Sequence, residues 1–249
     1  MSADLDTLAW VALAIGAVCA GFSKTGISGA GLITVGLFAS VLPARQSTGT
    51  VLLLFLVGDV FALLAYRSHA HWPTLRRLAV PVAVGIVVGV LFLTKIGDGG
   101  LRRTIGAVLL ALVAIHLWVR SRTEHGDGLR HLPRPVTVAA GATSGFTSMI
   151  ANAGGAVMSV YLLGVRLEML AFLGTTTWLF FLINVTKVPL SLGLGLLTWD
   201  GARVALLVSP FVVVGAWLGR ELIRRIAQRT FEWLVLASTV LAGLNLLLR

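Results

Sequence analysis

The sequence predicts an all-α polytopic membrane protein made of two inverted repeats, each a broken re-entrant helical hairpin plus three transmembrane helices. Composition is the first observation behind this prediction. Of the 249 residues, 57% are apolar and 12% are charged, against about 25% charged in soluble domains. The second is a series of apolar runs of about 20 residues, each long enough to cross about 30 Å of hydrocarbon. The third is a pair of glycine-rich breaks.

The two breaks, residues 21–31 and 145–155, lie inside long apolar segments in corresponding positions of the two halves. Unpaired backbone groups in hydrocarbon are costly, so irregular chain at that depth normally lines a cavity enclosed by protein. A matched pair of interrupted apolar segments is the best sequence indication of a transporter's binding site. The breaks therefore predict a secondary transporter.

Each element follows from a run of apolar residues and the turn or charged residues that bound it. Segments 7–42 and 136–164 are too long for one crossing, and each break leaves two pieces of about 14 residues that suit a re-entrant hairpin. The first repeat, 1–120, then consists of hairpin 7–42 and spans 46–66, 75–94 and 101–119. A basic cytoplasmic linker covers 121–135. The second repeat, 136–249, consists of hairpin 136–164 and spans 170–191, 203–223 and 230–248.

The halves share a pattern at an offset of 124 or 125 residues. Gly21-Phe22 corresponds to Gly145-Phe146, Gly49-Thr50 to Gly174-Thr175, and Asp59 to Asn184. A hairpin plus three spans leaves the chain on the opposite side of the membrane. The two repeats are therefore expected to be inverted, an architecture that commonly supports alternating access.

The positive-inside rule tests the hairpins. If both broken segments return to the side they entered, the Lys and Arg residues outside the membrane divide 12 against 6; if each crosses once, they divide 9 against 9. The bias favours the hairpins, with both termini outside the cytoplasm. The chain is then a multi-pass protein of a bacterial-type inner membrane.

The chain has three lysines against 17 arginines, and two of the three lysines are expected at membrane depth. Lys24 is in the first break and Lys187 is in the span 170–191. A cation at this depth usually marks a transport pathway or an ion pair. The alternative for both is that the side chain extends to a membrane interface.

The breaks supply groups suited to a small, oxygen-rich anion. Half-helix N-termini present unpaired N–H groups and the positive end of the helix dipole, and hydroxyls, an amide and a lysine surround them. The alternative is that Ser, Thr and Asn only cap the broken helices. The candidate substrate-binding residues are Ser23, Lys24, Thr25, Ser28, Thr147, Ser148 and Asn152, and the backbone breaks are at Gly21, Gly26, Gly29, Gly31, Gly145, Gly154 and Gly155.

Asp59 is the one carboxylate well inside a predicted span. It could pair with Lys24 or Lys187, or carry a proton in coupled transport. Its repeat counterpart Asn184 cannot titrate, so proton coupling would be asymmetric. Asp59, Lys187 and Asn184 are accordingly the candidates for coupling or for a structural ion pair.

The doubled Gly-Phe break, the Gly29-x-Gly31 and Gly154-Gly155 pairs after it, and the Gly-Thr at the next span resemble the sulfite exporter TauE/SafE family. The resemblance extends from about Gly16 to Leu247. It implies an inverted-repeat carrier that moves sulfite, a sulfonate such as sulfoacetate, or a related anion outward. It also implies that the residues at the two breaks contact the substrate.

Other functions are weighed against the same residues. A membrane hydrolase would need several acids or a histidine. The groups expected well inside the membrane are Asp59 and His116, and neither break contains a carboxylate; we expect no enzyme. A passive anion channel remains an alternative, because paired breaks can also form a filter.

Nucleic acid is not an expected partner, since the positive charge lies in loops between spans. The expected partners are a small anion, the bilayer and a proton as an optional coupling ion, with no cofactor and no metal; the oligomeric state is left open.

Overall fold

The computed structural model describes residues 6–26, 30–123, 134–165 and 167–222, and this part of the chain is all-helical. The last predicted span, 230–248, residue 223 of the span before it and residues 124–133 of the linker lie outside the described residues. The helices are α1 (Thr7–Thr25), α2 (Ala30–Val41), α3 (Ala44–Tyr66), α4 (Trp72–Lys95), α5 (Asp98–Thr123), α6 (Arg134–Ala151), α7 (Gly154–Val165), α8 (Met169–Gly193) and α9 (Trp199–Leu222), with a short 3-10 turn at Arg67–His69.

Five described helices are long and apolar enough to cross a membrane. They occupy Thr7–Thr25, Ala44–His69, Trp72–Lys95, Leu170–Gly193 and Trp199–Glu221. Large apolar side chains on α4 and α9 stay exposed, among them Val80, Val87, Leu206 and Trp217. Exposed apolar surface of this extent is typical of contact with lipid. The chain is therefore a multi-pass membrane protein.

Each predicted break separates two antiparallel helices. In the first unit, the Thr34 hydroxyl of α2 donates to the Gly16 carbonyl of α1 at 2.8 Å. In the second unit, the Ser144 hydroxyl of α6 donates to the Gly154 carbonyl of α7 at 3.0 Å. These bonds hold α1 on α2 and α6 on α7 as compact helix pairs.

Each helix pair packs on the second long helix that follows the pair in the other half. The principal contacts of α1 are with α9, and those of α6 are with α4. Glycines allow this approach. A Cβ on Gly21 would overlap the Val212 carbonyl oxygen, and a Cβ on Gly145 would overlap the Val82 carbonyl oxygen. The partner helices are recessed in return, with Gly215 against Val18 and Gly85 against Ala142.

The order of these contacts gives the helix directions. Along α1, residues 18 to 25 meet residues 215 to 219 of α9, so α1 and α9 run parallel. Along α6, residues 141 to 149 meet residues 81 to 89 of α4, so these helices also run parallel. α4 begins at the turn after α3, and α9 begins at the turn after α8. Therefore α6 runs away from the turn after α3, whereas α1 runs away from the turn after α8.

Arg45 joins the ends of several helices. Its guanidinium donates to the carbonyls of Leu93 and Ile96 at the end of α4 and to that of Leu194 after α8, at 2.8 to 3.2 Å. Asp98 accepts from the backbone N–H of Arg45 at 2.9 Å and so caps α3. The start of α3 and the C-terminal ends of α4 and α8 therefore lie at one end of the molecule.

The opposite end is closed by a corresponding set of contacts. The Trp178 indole N–H of α8 donates to the Arg67 carbonyl after α3 at 3.1 Å. The His71 backbone N–H donates to the Thr175 hydroxyl at 2.9 Å. The end of α3 and the start of α8 therefore lie together, away from Arg45, so that α3 and α8 run antiparallel through the centre of the bundle.

Candidate functional site

Lys24 and Asp59 form an ion pair between the end of α1 and the middle of α3. The Lys24 Nζ lies 2.8 Å from Asp59 Oδ1, and the Asp59 side chain is 1% exposed. The Asn184 amide of α8 donates to the other carboxylate oxygen at 2.6 Å. Burial of a carboxylate is tolerated where such partners compensate its lost hydration. Of the two partners considered for Asp59, Lys24 and Lys187, the structure pairs it with Lys24.

Two aromatic rings flank the Lys24 ammonium. The Phe55 ring centroid of α3 lies 4.5 Å from Nζ, and the Phe180 ring centroid of α8 lies 5.4 Å from it. The aliphatic part of the lysine runs over Gly58, where a Cβ would approach Lys24 Cγ to 2.8 Å. The ring faces attract a cation, so that rings, carboxylate and glycine together fix where the ammonium lies.

Lys187 is held by neutral oxygens at the second break. It is 1% exposed, and its Nζ donates to the Ser148 carbonyl and to Asn152 Oδ1, each at 2.6 Å. A longer bond of 3.3 Å joins it to the Ser148 hydroxyl. The alternative that Lys187 extends to a membrane interface is therefore wrong. Its ammonium instead neutralises the carbonyl end of α6, where a cation is favoured.

Asn152 forms the second break itself. Its φ of 51° is left-handed, a conformation that Asn tolerates better than other non-glycine residues and that commonly ends a helix. While its Oδ1 accepts from Lys187, its Nδ2 donates to the Thr48 carbonyl of α3 at 2.8 Å. The amide thus connects the break between α6 and α7 to both α8 and α3.

One cavity lies between the two breaks. It encloses about 660 Å³ of empty space, including the space at its open side. Its wall contains the first turns of α2 and α7, including Gly31 and Gly155, as well as the ion pair. The lining residues are Ser23, Lys24, Gly26, Gly31, Leu32, Phe55, Asp59, Ser148, Asn152, Ala153, Gly155, Leu173, Thr176, Thr177, Phe180 and Asn184.

The sequence matches a known protein family. The sequence model of the family described as sulfite exporter TauE/SafE matches residues 13–246. The chain belongs to the sulfite exporter TauE/SafE family. Membership indicates a membrane transporter of sulfite or a related anion rather than an enzyme. Comparisons with curated proteins and with solved structures give no significant match.

In this member of the TauE/SafE family, the structure brings together many of the residues predicted to bind the substrate. Ser23, Lys24, Ser148 and Asn152 line the cavity. Asp59 and Asn184 also line it, whereas Lys187 lies behind Ser148 and Asn152.

Two predicted substrate-binding residues are not brought to the cavity wall. The Thr25 hydroxyl donates to the Ala216 carbonyl of α9 at 2.7 Å, and the Thr147 hydroxyl donates to the Thr143 carbonyl at 2.8 Å. The Thr25 hydroxyl therefore joins α1 to α9, whereas the Thr147 hydroxyl bonds within α6. The residue after Lys24 and the residue before Ser148 point to a different side of their helices. Ser28, Gly29 and the His116 side chain lie outside the described residues.

The predicted break glycines serve two purposes. Gly26, Gly31 and Gly155 lie at the cavity, whereas Gly21 and Gly145 lie at the crossings with α9 and α4 described above. Gly154 packs on Ser144, whose carbonyl oxygen a Cβ would approach to 2.5 Å.

Sequence reasoning missed Phe55 and Phe180, the two rings at Lys24. The signal was present in the repeat, because the offset of 125 residues that relates Asp59 to Asn184 also relates Phe55 to Phe180. Each ring precedes the corresponding polar residue by four positions, which is about one helical turn. Ser148 likewise corresponds to Lys24, so the second repeat has a hydroxyl where the first has an ammonium.

Proposed function

We propose that the chain exports a small sulfur-containing anion, sulfite or a sulfonate such as sulfoacetate, by alternating access. The anion would be held in the cavity between the two breaks. Lys24, Ser23, Ser148 and Asn152 would be its side-chain partners. Membership of the TauE/SafE family supports transport of an anion as the function. The cavity supports the position proposed for the binding site.

The observation that carries the proposal is the charge of the buried cluster. The cluster contains two ammonium groups, those of Lys24 and Lys187, and one carboxylate, that of Asp59, so its formal charge is +1. A buried net charge is unfavourable unless a partner compensates it. A bound monoanion would neutralise the cluster.

The neutral groups of the cavity suit an oxyanion. The first turns of α2 and α7 line the cavity, and the first turn of a helix carries unpaired backbone N–H groups and the positive end of the helix dipole. Hydrogen bonds from ionised or backbone donors to anionic oxygens are short and strong. The three oxygens of sulfite or a sulfonate could be shared among these donors.

The packing supports the transport mechanism. The matched crossings of α1 on α9 and α6 on α4, each with glycines on both helices, are what two repeats of opposite orientation would produce. In inverted-repeat carriers, one bundle rocks against the other around a fixed central site. We infer the same relation between these repeats.

Thermal stabilisation by anions tests the proposal. Purified protein would be melted with sulfite, sulfoacetate, acetate and chloride. A ligand that binds the folded state at 100-fold above its Kd stabilises it by about 2.7 kcal/mol. We expect a dose-dependent rise in Tm with sulfite or sulfoacetate that exceeds any rise with acetate or chloride.

Lysine variants locate the site. We expect the rise to be lost in Lys24→Gln and in the double variant Lys24→Gln/Asp59→Asn, which leaves no unpaired carboxylate. Lys95→Gln is the matched control, because Lys95 is exposed at the end of α4. A rise retained in both Lys24 variants would place the site elsewhere, and no rise with either sulfur anion would reject the proposed cargo.

A further inference from the structure

The ion pair blocks the most favourable position for an anion. Among the described residues on the cavity wall, Lys24 is the one cation and Asp59 the one anion. The carboxylate oxygen lies 2.8 Å from Nζ. An oxyanion placed at hydrogen-bonding distance from the same ammonium would lie within a few ångströms of that carboxylate. Like charges at that separation repel strongly in a protein interior.

Asp59 has a second partner that does not depend on Lys24. Asn184 Nδ2 donates to the other carboxylate oxygen at 2.6 Å. Asn184 is 2% exposed and belongs to α8 rather than to α1. When Lys24 turns toward a substrate, the carboxylate would therefore keep one buried hydrogen bond, which lowers the cost of separating the pair.

The second repeat has no equivalent competitor. The positions corresponding to Lys24 and Asp59 are Ser148 and Asn184, which are neutral. Lys187 uses neutral oxygens and has no carboxylate within its hydrogen-bonding set. Among the described residues, an internal carboxylate and a bound anion therefore compete only for Lys24, and the competing carboxylate is that of Asp59.

We propose that Asp59 acts as an internal substitute for the transported anion. It neutralises Lys24 in the unloaded carrier, so that the empty site can pass between its inward-facing and outward-facing states, and a substrate anion displaces it from Lys24. This inference rests on the proposed function. If Asp59 has this role, the protein can export an anion without importing another in return, so it is capable of net efflux and is not an obligate exchanger.

Transport in proteoliposomes tests the role of Asp59. Radiolabelled sulfite would be loaded inside under anaerobic conditions, and efflux would be measured into buffer without sulfite (net efflux) and with sulfite (exchange). For the unmodified protein, we expect the two rates to agree within about threefold, because the Asp59–Lys24 pair replaces the missing anion during the return step. Net efflux below one tenth of exchange would overturn the proposal whether or not any variant folds.

Asp59→Asn separates the two processes. The amide cannot neutralise Lys24, so we expect sulfite to bind at least tenfold more tightly, exchange to be retained, and net efflux to fall at least tenfold. Asp200→Asn is the matched control, since Asp200 lies at the start of α9 with its side chain 45% exposed. Equal losses of exchange and net efflux, or sulfite affinity no higher than that of the unmodified protein, would overturn the role of Asp59.

The assay also distinguishes this inference from the proposed function. Sulfite binding and exchange by the unmodified protein, together with unchanged affinity in Asp59→Asn, would leave the transported anion in place and remove only the substitute role. No sulfite binding or transport by the unmodified protein would overturn both. Size-exclusion profiles and melting curves confirm that each variant is folded before its rates are compared.

Discussion

Lys24 depends on one neighbouring position for its conformation. At Gly58, a Cβ would approach Lys24 Cγ to 2.8 Å, so the absence of a side chain there allows the lysine to cross α3 and reach Asp59. The contact involves a flexible side chain and not a backbone. A methyl group at residue 58 would therefore move the ammonium without separating the helices.

Gly58→Ala tests this dependence. We expect the affinity for the stabilising anion to fall about tenfold, equivalent to about 1.4 kcal/mol, because the ammonium leaves its position between Phe55 and Phe180. Anion titration followed by the melting curve is the measurement. Gly193→Ala is the control, since nothing lies within 4 Å of a Cβ at that glycine. An unchanged affinity in Gly58→Ala would show that Lys24 does not need this path.

The two lysines have different roles at the same depth. Lys24 lines the cavity beside a charged partner, whereas Lys187 lies behind Ser148 and Asn152 and bonds the end of α6. Lys187 adds positive charge to the cluster but directs all three of its bonds into the protein. Although both residues are lysines at similar depth, Lys24 contacts the cavity and Lys187 supports the second break.

At the scale of elements, close helix crossings connect the two halves. α1 lies on α9 and α6 lies on α4, and in each case a backbone carbonyl occupies the space that a glycine Cβ would take. Small residues allow such approach in membranes, where helix association relies on packing and polar contacts. The crossings are thus as important to the architecture as the breaks themselves.

Substitution of the crossing glycines should lower stability in both halves alike. We expect Gly21→Ala and Gly145→Ala each to cost about 1–3 kcal/mol, as overpacking typically does, and to lower Tm by several degrees. Because the two crossings share no residues, the double variant should lose about the sum of the two. Melting of the purified variants is the measurement, with Gly193→Ala as the control. A loss confined to one half would contradict the equivalence of the crossings.

At the scale of the whole molecule, the positions of the helix ends restrict the topology. Arg45 bonds carbonyls at the ends of α4 and α8, so the turns after these helices lie at one end of the molecule. Between those turns the chain contains α5, the pair α6 and α7, and α8. If α5 and α8 each cross the membrane once, as we propose, the pair α6 and α7 would begin and end on the same side, as expected of a re-entrant hairpin.

Cysteine labelling tests this topology in the membrane. In a Cys19→Ala background, we expect Gly99→Cys and Gly193→Cys to react with a membrane-impermeant maleimide in intact cells, and Ser68→Cys to react only after permeabilisation. The expectation follows from the proposed orientation, which places the turns after α4 and α8 outside the cytoplasm and the turn after α3 inside. Labelling of Gly99→Cys and Gly193→Cys from opposite sides would reject the hairpin formed by α6 and α7.

The sequence by itself determined the all-helical membrane class, the positions of both breaks, the family resemblance and most polar residues of the cavity. These features are local. Apolar runs, glycine-rich interruptions and rare charges at membrane depth each have a physical meaning that does not require knowledge of the partner helix. Lys24, Asp59, Ser148, Asn152 and Asn184 could be chosen on that basis.

Only the tertiary structure decided which of these groups meet. It paired Lys24 with Asp59, directed Lys187 to the end of α6, turned Thr25 and Thr147 away from the cavity, and brought Phe55 and Phe180 to the ammonium. The physical reason is that the direction of a side chain at a broken helix depends on how that helix crosses its neighbours. Those crossings are set by glycines distant in sequence, such as Gly21 against α9 and Gly145 against α4.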